Sequence, residues 1–381
     1  MTVSLDSTSA AQPPPPRRRR LIIIACLFLV ALASIPLLRQ CTAPNSPRTP
    51  WVFAVCDIGQ GDALFLNLSP HTAIAVDTGP DPAKEDTCAR RLGITDVPLA
   101  ILTHFHADHV GGLAGLLRGR KVGQIETTTV DDPPAGAAQV ARLAAADGVP
   151  VVRVRPDEQR QFGDLSWRVL WPQAEHPLQQ PAADAGMGSG SMAEDGPSEN
   201  SGPNNDSIVM AVTVRTQAGP FHILLTGDIE TPVQQILLQD RRQYLKADVL
   251  KVPHHGSAKQ DPDFLAAVTP TVSVISVGLG NPYGHPNPRT VYLAGADGAR
   301  VYRTDLDGMV LISASPSPDG PIPVQADKGD GTLPTAPPSP TSTGYRHSRH
   351  GGHGGGHSGS GGHGGGYGSD HHQDSGHYGG S

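Results

Sequence analysis

The chain has 381 residues and a formal net charge of −7, and it contains 45 glycines and 37 prolines. The negative charge argues against a protein that coats nucleic acids, but bound metal ions could still supply local positive charge to a nuclease. Glycine and proline concentrate at the two ends and in one internal loop, so the residues able to build a core run from about 51 to about 315. That length favours one large α/β domain.

Residues 1–20 are polar and end in PPPPRRRR, whereas residues 21–38 are almost wholly apolar. The apolar run is at the lower limit of length for a membrane-spanning helix. The arginines before it favour a cytoplasmic N-terminus, so we predict a single-pass anchor in the cell membrane with the domain outside the cytoplasm. A cleaved signal peptide and a secreted domain are the alternative. Residues 39–50 are predicted to form a linker.

The first half of the domain shows alternating strand and helix patterns. Strand-like runs at 51–56 and 63–68 flank a polar turn, and a third strand at 72–76 ends in Asp77. The following predicted elements are a helix at 83–92, a strand at 98–103, a helix from 113, a strand at 122–126, a helix at 135–147, and strands at 150–154 and 165–171.

The second half begins with a low-complexity stretch at about 173–205, which we expect to be a mobile surface insertion within the domain 51–315. Strands at 208–215, 221–226 and 247–252 and a helix at 231–240 are predicted after it. Residues 316–381 are predicted to be disordered, first Pro/Ser-rich and then Gly/His-rich. The Gly/His tail either binds divalent metal loosely or has no role.

The cysteines are Cys26, Cys41, Cys56 and Cys88, without a CxxC motif or paired spacing. The sequence therefore predicts no disulfide framework and does not indicate a redox compartment.

The sequence HFHADH at 104–109 places three histidines and an aspartate on a predicted strand-to-helix turn. Imidazole and carboxylate together suit a borderline metal such as zinc. His104 and His106 alternate, so both can face one side of an extended segment, while Asp108 and His109 can reach a second ion. A polar turn with chance histidines is a poor explanation of four ligand-type residues at this spacing.

This sequence matches the HxHxDH signature of the metallo-β-lactamase superfamily. Over about residues 52–313 the chain resembles the C-terminal domain of ComEC-type DNA-uptake competence proteins. The motifs that carry the resemblance, in order, are CDIGQGDALFL (56–66), VDTG (76–79), NNDSIVM (204–210), LLTGDIE (224–230), LKVPHHGS (250–257), NPYGHP (281–286) and YRTDLDGMV (302–310). The resemblance implies a four-layer αβ/βα sandwich with the site at one edge.

The resemblance also implies a ligand set for two divalent ions, zinc or alternatively manganese. His104 and His106 would hold the first ion. Asp108, His109 and His255 would hold the second, and Asp228 would bridge both. The third ligand of the first ion is open: His176 and His222 match poorly, and water or Asn205 is the alternative.

Other residues are assigned roles around these ligands. His254 is predicted either to face the substrate or to pack near the ligands, and with Asp108 and Asp228 it is a candidate catalytic residue. Asp77 either orients a ligand histidine or is a simple turn residue. The remaining candidates, which either line the site or have only structural roles in turns and packing, are Asp57, Gln60, Asp62, Asn205, Ser207 and His285.

The resulting prediction is a membrane-anchored extracytoplasmic hydrolase, acting on DNA as a phosphodiesterase or nuclease. Two ions can activate water and neutralise charge on phosphoryl oxygens. A hydrolase of another ester class, such as phosphorylcholine esters or lactones, and a non-catalytic metal- or DNA-binding module are the alternatives. ComEC-type proteins carry a multi-helix channel, and this chain has one candidate span. A separate channel protein is therefore a predicted partner, unless the domain serves another extracytoplasmic purpose.

Overall fold

The computed structural model of the chain describes residues 50–174, 201–318 and 320–335. The apolar run 21–38, His176, most of the predicted insertion and the Gly/His tail lie outside these ranges. None of the helices within the described residues is both long and apolar enough to cross a membrane.

The described residues contain seventeen strands. In chain order, β1 to β17 are Phe53–Val55, Leu64–Ser69, Thr72–Val76, Asp96–Val97, Ala100–Leu102, Lys121–Val122, Ile125–Thr127, Val151–Arg153, Gln159–Phe162, Leu165–Trp171, Val209–Thr216, Gly219–Leu225, Val249–Lys251, Val272–Ile275, Arg300–Arg303, Val310–Ile312 and Val324–Ala326.

Helices connect many of these strands. In chain order, α1 to α9 are Pro82–Arg91, Ala107–Val110, Leu113–Leu117, Pro134–Asp147, Ser201–Asn205, Thr231–Asp240, Pro262–Val268, Pro288–Ala294 and Thr304–Asp307. Short 3₁₀ turns occur at Arg242–Tyr244, Pro253–Gly256 and Ala296–Gly298.

The strands form two mixed sheets. The first runs β17-β16-β1-β2-β3-β5-β7-β8, with β4 beside β3 and β6, and the second runs β15-β14-β13-β12-β11-β10-β9. Strands β3 and β5 are parallel in the first sheet, as are β12 to β15 in the second. Because parallel strands end at the same edge of a sheet, the loops after them converge there. These loops carry the candidate ligands.

Alternating apolar residues explain the layers. Val55 and Leu66 belong to the core between the sheets, together with Met210 and Ile223 of the second sheet. The outer face of the first sheet packs on helices including α3, and that of the second packs on α6, α7 and α8. The predicted mixed α/β sandwich with two sheets is confirmed.

The predicted C-terminal boundary at residue 315 is too early. Strand β17 pairs with β16, and Thr332 forms a further bridge to Val301. The guanidinium of Arg91 also pairs with Asp327, 2.8 Å away. The Pro- and Gly-rich composition of this segment gave no indication of a strand, because the strand forms by pairing with the edge strand β16. The predicted end of the insertion at 205 is likewise late, because residues 201–205 form α5 and Asn204 is buried.

A disulfide joins Cys56 and Cys88, contrary to the expectation from their spacing. Their Cα atoms are 6.1 Å apart, although 32 residues separate them in the chain. Cys56 directly follows β1 and Cys88 lies in α1, so the sandwich brings them together where the local sequence gives no signal. The bond ties α1 to the start of the polar turn 57–62.

We expect Cys88→Ala to lower the free energy of unfolding by about 3 kcal/mol, because a disulfide restricts the unfolded chain. Urea denaturation of the oxidised proteins measures this difference. In excess reductant the wild type and the variant should have closely similar stability. Equal stability of the two oxidised proteins would contradict a native Cys56–Cys88 bond.

Candidate metal centre

The turn after β5 is held by a buried aspartate. Both side-chain oxygens of Asp77 accept hydrogen bonds from Thr103, one from the backbone N–H at 2.7 Å and one from the hydroxyl at 2.8 Å. Gly61 lies against the same turn at φ +120°, and a Cβ there would be 2.1 Å from the carbonyl oxygen of Asp108. A glycine is therefore required for the polar turn 57–62 to approach the histidine-rich turn.

Four of the predicted ligands meet at the edge of the two sheets. Asp108, His109, Asp228 and His255 each offer a ligand atom, and these atoms lie within 4.8 Å of one another. Oδ2 of Asp228 is 3.0 Å from Nε2 of His109 and 3.1 Å from Nε2 of His255. The structure therefore brings together the residues assigned to the second ion and the residue assigned to bridge both ions.

Hydrogen bonds behind the histidines aim their Nε2 atoms at this cluster. Nδ1 of His109 donates to Oδ2 of Asp77 at 2.8 Å, and Nδ1 of His255 donates to the carbonyl oxygen of Ser276 at 2.9 Å. Such partners fix the ring orientation of a metal-ligating histidine. The structure thus favours the orienting role for Asp77 over that of a simple turn residue.

His104 and His106 form a second pair next to the cluster. Nε2 of His104 lies 3.0 Å from Nδ1 of His106, and the rings of His104 and His109 have centroids 4.1 Å apart. Within the described ranges, neither residue belongs to a group of three or more ligand-type atoms within 4.8 Å. The pair fits the predicted first site as two ligands.

Ser207 connects this pair to the cluster. Its Oγ accepts a hydrogen bond from the backbone N–H of Asp228 at 3.0 Å and lies 3.2 Å from Nδ1 of His104. Ser207 is therefore a supporting residue of both groups of ligands.

The backbone at two adjacent histidines is in the left-handed region, and their side chains point in different directions. His254 and His255 have φ values of +48° and +50°. Such backbone costs about 1–3 kcal/mol per non-glycine residue and is typical of functional sites. His255 turns into the cluster, whereas Nδ1 of His254 lies 3.3 Å from Oε1 of Glu230. The preference for His255 as the ligand agrees with this geometry.

A polar patch surrounds His254. Nδ2 of Asn204 lies 3.4 Å from Nε2 of His254 and donates to Glu230 at 3.1 Å, and Lys259 pairs with Glu230 at 3.2 Å. The ring of His285 packs edge-on against His254, with centroids 5.1 Å apart. His285 is therefore beside the cluster, as the site interpretation expected, but it contacts His254 and is not part of the ligand group.

Other candidates have different roles. His222 bonds Thr213 across the second sheet at 3.1 Å and does not reach the cluster. Asn205 accepts a hydrogen bond from the backbone N–H of Glu230 at 2.9 Å, so its side chain is engaged at the start of α6.

The candidates in the polar turn 57–62 differ in their contacts. A carboxylate oxygen of Asp57, which is exposed, lies 3.6 Å from the ammonium of Lys328, and the side-chain oxygen of Gln60 accepts a hydrogen bond from the backbone N–H of Gly278. Of the polar turn 57–62, it is Asp62 that contacts a predicted ligand.

The electrostatics of the cluster favour imidazolium between carboxylates while no ion is bound. Burial opposes protonation of His109, but Asp228, Asp77 and Asp108 outweigh burial and raise the pKa of His109 well above its usual value. For His255 burial again opposes protonation, and Asp228 outweighs it to raise the pKa. Burial together with the charge of His109 holds the pKa of His104 well below its usual value.

The carboxyl groups shift in the opposite direction. Burial opposes ionisation of Asp228, but His109 and His255 hold its pKa well below the usual value. Asp108 is likewise held below its usual pKa, since the same histidines outweigh its burial. Both carboxylates are therefore ready to bind a cation.

The donor set fits divalent metal ions. Carboxylate oxygen and imidazole nitrogen are ligands for zinc and manganese. Oδ1 of Asp228 is buried, and within the part of the chain that the structure describes it has no hydrogen-bond partner. A buried carboxylate oxygen without a donor is unfavourable, and a bound cation would satisfy it.

Lys251 was missed by the sequence reasoning. Its ammonium lies 2.7 Å from Oδ2 of Asp62, and neither side chain has any solvent exposure. The available signal was a charged residue inside the apolar run VLKV at 249–252, directly before PHHGS.

Residues 56–179 match the family model described as the metallo-beta-lactamase superfamily. Over these residues the chain is similar to metallo-beta-lactamase domains. The chain is 30% identical to ComE operon protein 3 of Bacillus subtilis over a 277-residue alignment, which covers 67% of this chain and 32% of that protein. It is 26% identical to competence protein ComA of Neisseria gonorrhoeae over a 271-residue alignment, which covers 69% of this chain and 32% of that protein.

The matches confirm the resemblance to ComEC-type competence proteins. The matched part is about a third of the length of these curated relatives, 32% in both cases.

Solved structures are also similar to this chain. The metallo-beta-lactamase fold protein YhfI of Bacillus subtilis is 16% identical, with a TM-score of 0.35, and the match covers 67% of this chain and 86% of that one. The metallo hydrolase Igni18 of Ignicoccus hospitalis is 12% identical, with a TM-score of 0.39, and the match covers 73% of this chain and 99% of that one.

We expect the metal affinity of the domain to rise with pH. The raised pKa values of His109 and His255 keep both rings protonated near neutral pH, so an ion must displace about two protons. Below these pKa values the logarithm of the zinc association constant should rise by about two per pH unit. Chelator competition between pH 6 and 8 measures the slope, and a pH-independent affinity would contradict the assigned ligands.

Proposed function

We propose that this chain is a metal-dependent phosphodiesterase that cleaves DNA outside the cytoplasm, as part of competence-type DNA uptake. The observation that carries the proposal is the cluster of Asp108, His109, Asp228 and His255 in a domain whose relatives are competence proteins. In this proposal His104 and His106 hold a first ion, the cluster holds a second, and Asp228 is shared.

When bound, the two divalent ions would act as Lewis acids, lower the pKa of water and neutralise charge on phosphoryl oxygens. The chain's own residues prepare the site for this chemistry. Asp77 fixes the ring of His109, and Ser207 fixes the backbone at Asp228. The sheets exclude water from one side of the site, which strengthens electrostatic interactions there.

His254 is the residue that we assign to substrate contact. It adjoins the ligand His255, with ring centroids 6.0 Å apart, yet it faces the polar patch formed with Glu230 and Asn204. Its imidazole does not occupy a metal position, and in this proposal it contacts a substrate oxygen. Strained backbone at this residue supports a role beyond packing.

The Cys56–Cys88 disulfide supports the extracytoplasmic placement. Disulfides persist in oxidising compartments and are rare in cytosolic proteins. The apolar run 21–38 and the arginines before it would anchor the chain with the domain on the outer side of the cell membrane. The proposed partners are DNA, the membrane through this run, and a separate channel protein.

We expect the purified full chain, loaded with zinc or manganese, to cleave linear DNA and model phosphodiesters. Asp228→Asn should lower this cleavage by about 100-fold or more, because it removes the shared carboxylate. Gel assays of single- and double-stranded DNA and release of nitrophenol from bis(nitrophenyl) phosphate measure the activity. Asp164→Asn, a change at the turn between β9 and β10, is the matched control and should retain activity.

A metal-loaded protein that leaves DNA and phosphodiesters intact would overturn the proposal. If the same preparation hydrolysed phosphorylcholine esters or lactones, the metal chemistry would stand and the substrate class would be wrong.

For His254→Ala we expect cleavage to fall about 10- to 100-fold while both ions still bind, because in this proposal His254 contacts the substrate and not the ions. Zinc analysis of the purified variant and steady-state kinetics test this together. Loss of metal in step with activity would instead assign His254 to the ligand set.

A further inference from the structure

The ligands of the proposed metal centre come from both sheets. His109 and Asp108 follow β5 of the first sheet, whereas Asp228 and His255 follow β12 and β13 of the second. The distance between the two groups therefore depends on how the loops of one sheet are held against those of the other.

A buried ion pair joins the sheets immediately behind this centre. Asp62 lies just before β2 of the first sheet, and Lys251 is the last residue of β13 in the second. The Lys251 ammonium is 2.7 Å from Oδ2 of Asp62, and Oδ1 of Asp62 is 3.4 Å from Nδ1 of the ligand His255. The backbone N–H of Asp62 also donates to the carbonyl oxygen of Asp108, 3.2 Å away.

Both partners are held rigidly by other bonds. The carbonyl oxygen of Lys251 accepts from the Thr226 hydroxyl at 2.7 Å, and its ammonium also donates to the carbonyl oxygen of Val252 at 3.1 Å. The carbonyl oxygen of Asp62 accepts from Gly79 at 2.6 Å. A movement of the ion pair would therefore move the backbone that carries the ligands.

We propose that Lys251 is a positioning residue of the metal centre, which holds the Asp62 carboxylate beside Nδ1 of His255 and, together with the carbonyl oxygen of Ser276, keeps that ligand ring in place. The inference rests on the metal centre of the proposed function. A fully buried ion pair is weak evidence for stability, since the desolvation of both charges offsets their attraction. Because the Lys251–Asp62 pair lies directly behind the ligand His255, we assign it a role in positioning that ligand. Without the ammonium, an unpaired carboxylate at this position is unfavourable, so Asp62 loses its fixed contact with His255.

The test is Lys251→Met in the full chain, with Zn²⁺ and Co²⁺ as probes in the absence of DNA. We expect metal affinity to fall about 10- to 100-fold, as it does when partners behind a ligand are removed. The visible spectrum of the Co²⁺-loaded protein should also change, because it reports ligand geometry. Affinity and spectrum equal to those of the wild type would overturn the inference.

The chain offers a matched control away from the centre. Arg120 and Asp86 form another ion pair, 3.0 Å long, and each side chain is 2% exposed. Asp86 lies in α1, in the outer helical layer. Asp86→Asn should lower stability and leave zinc affinity and the Co²⁺ spectrum unchanged. If this control lowered affinity as much as Lys251→Met, the effect of Lys251 would be general destabilisation and the inference would fail.

A double variant covers the case in which Lys251→Met does not fold. Lys251→Met/Asp62→Asn leaves no uncompensated charge in the interior, and it should lose metal affinity to the same degree, since Asp62 is no longer a carboxylate. Wild-type affinity in the double variant would overturn the inference. Because these measurements need no substrate, a wild type that binds metal but cleaves no DNA would refute the proposed activity alone.

Discussion

The structure depends on one meeting point between two sheets. Oδ2 of Asp228 contacts His109 from the first sheet and His255 from the second, at 3.0 and 3.1 Å. Neither sheet carries the whole cluster, so face-to-face packing of apolar strands is what creates it. The interior residues Val55 and Met210 therefore serve the site as much as they serve stability, because they set the distance between its halves.

Polar groups behind the ligands follow the same division. On the first sheet Asp77 bonds both Thr103 and His109, so one carboxylate fixes a turn and a ligand ring together. On the second sheet the carbonyl oxygen of Ser276 fixes His255. Because these ligand side chains are already oriented, the entropic cost of ordering them when an ion binds is smaller. These orientations also bring buried carboxylates and imidazole rings close together, where their charges interact strongly.

Local sequence patterns were sufficient for much of the fold. The predicted strand at 72–76 and the predicted helix at 231–240 have the same bounds in the structure, and a helix starts at residue 113 as predicted. The histidine-rich turn was also predictable, because its ligand-type residues lie within six positions. The resemblance then located Asp228 and His255, whose own surroundings contain no comparable density of ligand residues.

Long-range contacts set the limit of prediction. The pairing of Cys56 with Cys88, the contact of Lys251 with Asp62 and the strand at 324–326 each join distant parts of the chain. Periodicity reports on neighbours within a few residues and cannot report on such partners. His222 shows the converse: its chemistry suited a ligand, but its strand places it with Thr213.

Strand β17 has a practical consequence for work on the isolated domain. It covers β16, which would otherwise present unpaired N–H and C=O groups along the outside of the first sheet. Uncovered edges of this kind add strands from other molecules, so a fragment cut at residue 315 would be prone to self-association. Recombinant boundaries should therefore extend beyond Thr332, where the last bridge to Val301 forms.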